Sequence, residues 1–172
     1  MRCRRSSGRP PARPTGFTLI ELVVVVGIIA ILALLALPSL LERNVREQIQ
    51  AALPLAAVAQ KPVAAAWMLL GALPPDNAAA GLPPAEKIVS NYVSAVAVSD
   101  GAIHVTFGNR AGKAIAGRKL SVRPAVVEDA PIVPVAWVCG FAEPPGKMTV
   151  VGQNLTDVRE NLLPFECRAL KR

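Results

Sequence analysis

From Leu22 to Leu37 the chain carries no polar side chain. No other feature restricts the fold so strongly, because a run of this length cannot lie on the surface of a water-soluble domain. Continuing to Leu41 adds only Pro38 and Ser39, and reaching back to Phe17 adds only Thr18 and Glu21 as polar residues. A helix over 17–41 would be about 37 Å long at ~1.5 Å per residue. That length crosses a hydrocarbon core of roughly 30 Å. Segment 17–41 is therefore expected to span a membrane as a helix.

The flank sets the direction. Arg2, Arg4, Arg5, Arg9 and Arg13 lie in residues 1–16, which hold no acid. This Arg-, Pro- and Ser-rich leader has no apolar period and is expected to be disordered. Its arginines place it in the cytoplasm and the rest of the chain across the membrane. The formal charge of +7 belongs mostly to it, since 14 basic and 12 acidic residues follow from Phe17 onward. Such a charge argues for membrane orientation and not for a nucleic-acid surface. A conventional secretory signal is the competing reading. Its difficulty is that Leu37-Pro38-Ser39-Leu40-Leu41 offers no small-x-small cleavage site.

Beyond Leu41 the residues 42–172 read as a soluble head. Val45, Ile49, Ala52, Ala56, Ala59, Val63, Ala66 and Leu70 recur at helical spacing and predict an amphipathic helix over 42–70. Gly71 is the expected stop. Pro38, Pro54 and Pro62 each lose a backbone donor and crowd the carbonyl four residues back. Pro38 is expected to bend the helix, while Pro54 and Pro62 leave its continuity open. Residues 71–87 form a loop, with Pro74-Pro75-Asp76-Asn77 and Gly81-Leu82-Pro83-Pro84 as its turn signals.

Within 88–139 the period becomes that of strands. Tyr92–Val98 and Ala102–Phe107 flank a Ser99-Asp100-Gly101 hairpin turn, and Lys119–Val122 and Val133–Val138 are two further strands. Residues 140–172 read as a loop with one short strand at Met148–Val151. The expected class is α+β: a long N-terminal helix covering one face of an antiparallel sheet of about four strands.

Residues for catalysis or metal binding are sparse. His104 is the single histidine and is expected to face solvent from its strand, where it has no partner for base catalysis. One histidine and no Cys-x-x-Cys give no zinc site. No phosphate-cradling glycine motif implies a cofactor. Ser90, Ser94, Ser99 and Ser121 lack a nucleophile context, and Trp67 and Trp137 read as core residues. Neither an enzyme nor a cofactor is expected. DNA binding would rest on Arg110, Lys113, Arg118, Lys119 and Arg123, with Arg168, Lys171 and Arg172. These cations lack interleaved aromatics and read as solvated faces. The Asn154-Leu155-Thr156 sequon reads as chance. Removal of the leader would take Cys3 with it and leave Cys139 and Cys167, either as one disulfide in an oxidising compartment or as two buried thiols.

The block Gly16-Phe17-Thr18-Leu19-Ile20-Glu21, leading directly into Leu22–Leu37, resembles the type IV pilin family. The resemblance implies cleavage between Gly16 and Phe17 by a prepilin peptidase, methylation of the new Phe17 amino group, and retention of the apolar helix. A carboxylate within a membrane costs roughly 2.5–3.5 kcal/mol at full depth. The helix N-terminus offsets part of that cost for Glu21, and cleavage supplies a cation at Phe17. The family pattern implies that Glu21 pairs with the amino terminus of a neighbouring subunit. Val135-Ala136-Trp137-Val138-Cys139 and Leu163-Pro164-Phe165-Glu166-Cys167-Arg168 resemble the family's C-terminal loop, which implies a Cys139–Cys167 disulfide.

The implied function is a structural pilus subunit, polymerising with itself for adhesion, twitching motility or DNA uptake. Its implied partners are the peptidase/methyltransferase, the pilus assembly machinery and, before assembly, membrane lipid. Its implied location is the bacterial inner membrane and then the cell surface. A minor pilin, a type II secretion pseudopilin and a non-polymerising single-pass binding protein are the alternatives. The cysteine pair favours a pilin over a pseudopilin.

Overall fold

The computed structural model describes residues 16–169, without the side chains of 35–39. The expectations for the leader, Cys3, Lys171 and Arg172 lie outside the described residues, and the backbone at Pro38 is helical. In order, the elements are α1 (Leu19–Leu70), β1 (Val93–Ser99), β2 (Ala102–Phe107), β3 (Lys119–Val126), β4 (Ala136–Cys139) and β5 (Thr149–Val150). Short 3-10 turns occupy Ala85–Lys87, Glu160–Leu162 and Phe165–Cys167. The chain divides between Ser39 and Leu40 into two units.

In the first unit, Thr18 starts the helix. Its Oγ1 accepts the Glu21 N–H at 3.3 Å, and its carbonyl accepts the Leu22 N–H at 3.2 Å. This is a threonine N-cap, which satisfies a donor that has no partner inside the helix. The large apolar side chains from Leu19 to Leu34 are exposed on every side, from 44% at Val25 to 81% at Leu19.

In the second unit α1 behaves oppositely. Ile49, Ala52, Ala56, Ala59 and Val63 are at most 1% exposed. They pack with Val96, Val98, Ile103, Val105, Phe107, Leu120 and Val122 in one core. The helix passes through Pro54 and Pro62 unbroken, which settles the question the prolines left open. Each proline costs roughly 3 kcal/mol in a helix interior, and the sealed alanine-rich face outweighs that cost. The face fades past Val63: Ala66 is half-buried and Leu70 is exposed. The Gly71 N–H bonds the Trp67 carbonyl at 2.9 Å and ends the helix. An 18-residue window within Leu40–Leu70 reaches a mean hydropathy of 1.4. Within that stretch it is the face of Ile49, Ala52, Ala56, Ala59 and Val63 that is buried against the sheet.

The sheet is antiparallel in the order β1-β2-β3-β4, and β5 pairs with the far end of β3. Asp100 (φ 48°) and Gly101 (φ 80°) form the two-residue turn between Ser99 and Ala102. Positive φ at both turn residues matches the twist of the strands they join. β3 runs past Val122, through Pro124, to Val126. β2 reaches only as far as Ala102, while its Ile103 pairs with Val122, so Pro124 lies beyond its end. No donor is needed there, and the Pro124 carbonyl still accepts the Val151 N–H at 2.9 Å. β4 starts later than expected, at Ala136, after Pro134. Asn77 pins the 71–87 loop, donating to the carbonyls of Pro83 and Val96 and accepting from the Val98 N–H.

Candidate functional site

Two regions carry the features that sequence reading singled out, and each unit holds one. At the N-terminal end, Gly16, Phe17 and Thr18 precede the helix in non-helical backbone. An added Cβ at Gly16 would meet nothing within 4 Å. Among the described residues nothing crowds Gly16, and the Gly16–Phe17 peptide bond sits just outside the hydrogen-bonded helix. Phe17 is 82% exposed. Glu21 occupies the first turn, and among the described residues its carboxylate makes no ion pair. Thr18 three residues before Glu21 is the spacing of a capping box. The spacing was readable in the sequence, and the role of Thr18 was missed there.

This arrangement cannot persist in water. Fully burying one valine, leucine or isoleucine side chain stabilises by about 1.5–3 kcal/mol, and more than ten such side chains are exposed between Leu19 and Leu34. Lipid or other apolar helices must surround the segment.

In the head, Cys139 and Cys167 form a disulfide with Cα atoms 4.6 Å apart. Gly140 makes room for it. At φ +57° an added Cβ would lie 2.7 Å from the Cys167 carbonyl oxygen, which accepts the Phe141 N–H at 2.9 Å. A ring of polar contacts ties the closed loop to α1. The Asn161 carbonyl accepts from Arg46 and Arg168, and the Asn161 amide donates to Glu42 at 3.0 Å. Glu42 and Arg46 form an ion pair at 2.9 Å.

His104 is where the structure departs most from expectation. It is 4% exposed and not solvent-facing. The outward face of the sheet is covered by the segment between β5 and Asp157. β5 pairs with Ala125 and Val126, and the Asp157 N–H reaches the Lys119 carbonyl. Between these points, the Ser121 Oγ accepts the Leu155 N–H at 2.8 Å and lies 2.9 Å from His104 Nδ1. The Thr156 Oγ1 accepts the Ser121 N–H, and the Asn154 amide donates to the Gly140 carbonyl. A serine and a histidine in contact suggest a nucleophile, but Ser121 is 0% exposed. The pair fastens the C-terminal segment to the sheet.

Burial, and secondarily the charge of Lys119, hold the His104 pKa below its ordinary value of 6.5. The unfolded chain therefore takes up a proton that the fold resists. Stability is full above the ordinary value and is lost as pH falls through it. Thermal unfolding between about pH 8 and about pH 5 should show this slope, and His104→Gln should flatten it. An equal slope in that variant would remove His104 as the cause.

The cations fall into two groups. Arg110, Lys113, Arg118 and Lys119 are exposed. Arg123 is half-buried and donates to the Gly140 carbonyl, and Arg168 is committed to the closed loop. Trp67 and Trp137 are half-buried, and Trp137 packs against the core.

Comparison with known proteins agrees with both regions. Residues 45–168 match the pilin family of bacterial filaments, and residues 12–37 match the prokaryotic N-terminal methylation motif. The chain is 36% identical over 126 residues to a type IV major pilin protein, PilE, of Neisseria gonorrhoeae, covering 73% of each chain. It is 32% identical over 159 residues to a second type IV major pilin protein of that organism, PilE1, covering 89% of this chain and 86% of the other. A fimbrial protein of Neisseria meningitidis serogroup A is 35% identical over 126 residues, covering 73% of this chain and 72% of that one.

Proposed function

The chain belongs to the bacterial pilin family, and from that membership we propose how it matures, inserts and assembles. It is a structural subunit of a type IV pilus, anchored by its apolar helix and then polymerised with copies of itself into a surface filament. The observation that carries this reading is the apolar helix, exposed all round and headed by Gly16-Phe17 and Glu21.

In our reading, residues 1–16 are removed by a prepilin peptidase between Gly16 and Phe17, and the new Phe17 amino group is methylated. Residues 17–41 hold the subunit in the bacterial inner membrane, and 42–172 form the head. The assembly machinery then draws subunits from the lipid. Removing so many apolar side chains from lipid is tolerable because neighbouring helices bury them again. Glu21 then meets the Phe17 ammonium of a neighbouring subunit. Adhesion, twitching motility and DNA uptake are the uses such a filament serves.

Mass spectrometry of material sheared from the cell surface tests the reading. The expected species starts at methylated Phe17 and lacks two hydrogens at Cys139 and Cys167. A chain that still starts at Met1 and never appears in sheared material would overturn it.

A further inference from the structure

Two groups of the head's ionised side chains, one basic and one acidic, lie at opposite ends of its sheet. The strand register places the end of β2 and the start of β3 together at one end, because Thr106 pairs with Lys119. That end carries Arg110, Lys113, Arg118 and Lys119, all exposed. Asp157 lies among them, 3.8 Å from Arg118, and Glu47, ion-paired to Arg43, is next to the Gln48 that adjoins this end. The β1–β2 turn and the end of β3 lie at the other end. That end carries Asp100, Glu128 and Asp129, with Asp76 beside them through the bonds of Pro74 and Pro75 to Gly101 and Asp100. Lys147, two residues before β5, and the half-buried Arg123, level with Ala102, are the cations near them in the register. Among the described residues, none of these four acids is ion-paired, and neither are Arg110, Lys113 and Lys119.

The separation follows the head's stretch of α1. Gln48 Oε1 accepts the Gly112 N–H at 2.8 Å, at the basic end. The helix stops at Leu70, and the Pro74 carbonyl accepts the Gly101 N–H at the acidic end. From residue 48 to 70 the helix advances roughly 33 Å, several times the ~8–10 Å Debye length in physiological salt. The two ends are thus separate charge centres. The acidic end also leaves Met68, Leu69, Leu70 and Ile132 from 51% to 84% exposed, whereas small residues (Ala111, Gly112, Ala114, Ala116 and Gly117) separate the cations.

We propose that the acidic end of one head docks on the basic end of the next copy, so that the sheet itself supplies a head-to-tail contact along the filament. Its occupant is a second copy of this chain. Copies laid parallel along α1 present opposite charges to each other, and such a heterologous contact repeats without closing, as an open helical polymer requires. The inference rests on the filament reading above and adds a second adhesive surface to it, independent of the apolar helices.

Charge reversal tests it in the full chain. Arg110→Glu with Lys113→Glu, or Glu128→Lys with Asp129→Asn, should each lower sheared filaments about tenfold, while cleaved subunits with a closed disulfide accumulate in the membrane. Asparagine is chosen at 129 because φ there is 59°, a conformation it tolerates. All four substitutions in one chain should recover most of the yield. Wild-type filaments should also shear into shorter pieces at about 1 M salt than at about 0.1 M. Full yield from both reversed chains, no recovery in the combined chain, or salt-independent shearing would overturn the proposal. Failure of the wild-type chain to form filaments in the same assay would instead overturn the filament reading, and this inference with it.

Discussion

Glu21→Val is expected to insert in the membrane and lose its leader, yet to yield roughly a hundredfold fewer filaments or less. Insertion becomes easier, because a carboxylate that costs up to roughly 2.5–3.5 kcal/mol in lipid is gone. The helix start is kept, because Thr18 caps the backbone N–H of residue 21 and not its side chain. Assembly loses the partner proposed for the Phe17 ammonium. An ammonium left buried without its counter-charge costs about 3–5 kcal/mol, repeated at every subunit. The measurement is the ratio of sheared filament to cleaved membrane pool. A normal ratio would end the pairing proposal. A normal ratio in Glu21→Gln alone would show that a hydrogen bond suffices where a charge was assigned.

Removing the disulfide should cost the head about 3–4 kcal/mol in the chain-entropy model, given a sequence separation of 28. Cys139→Ala with Cys167→Ala is the informative pair, because serine would put a hydroxyl at position 167, which is 0% exposed. The segment from Glu160 to Arg168 would then be held by the buried Leu162 and Leu163 and by the polar contacts of Arg46, Glu42 and Asn161. Their ion pair is partly exposed, and such pairs give at most about 1 kcal/mol. Urea unfolding of the detergent-solubilised chain, oxidised and paired-alanine, gives the difference directly. A loss below about 1 kcal/mol would mean that the loop is held by packing and not by the covalent closure.

Legibility followed the range of the interaction responsible. The alternation in Ala102–Phe107, the Asp100-Gly101 turn and the Gly71 stop were all readable, since each depends on residues within a few positions. Strand bounds were less so. β3 runs past the expected end at Val122 and through Pro124, which cannot donate to a ladder. Its tolerance depends on where β2 ends, which no local pattern records. Of the proposed functional features, Gly16, Phe17, Glu21 and the two cysteines were nameable from sequence, while the cap on the Glu21 N–H supplied by Thr18 was overlooked.

The sequence alone determined the apolar helix and the amphipathic helix that follows it. Hydropathy and a period of 3.6 are properties of neighbouring residues, and they specify which side chains must leave water. What covers those side chains, and what else is buried with them, was decided by tertiary structure. Pro54 and Pro62 stay helical because the face beside them is sealed by strands more than thirty residues away. His104 is buried because Leu155 and Thr156 cross over a face that alternation alone assigns to solvent. The opposed charge of the two sheet ends likewise depends on the strands, since β3 starts at Lys119 and leads, past its end at Val126, to Glu128. A strand's length separates residues that are close in sequence and joins others that are distant, and no local period encodes that.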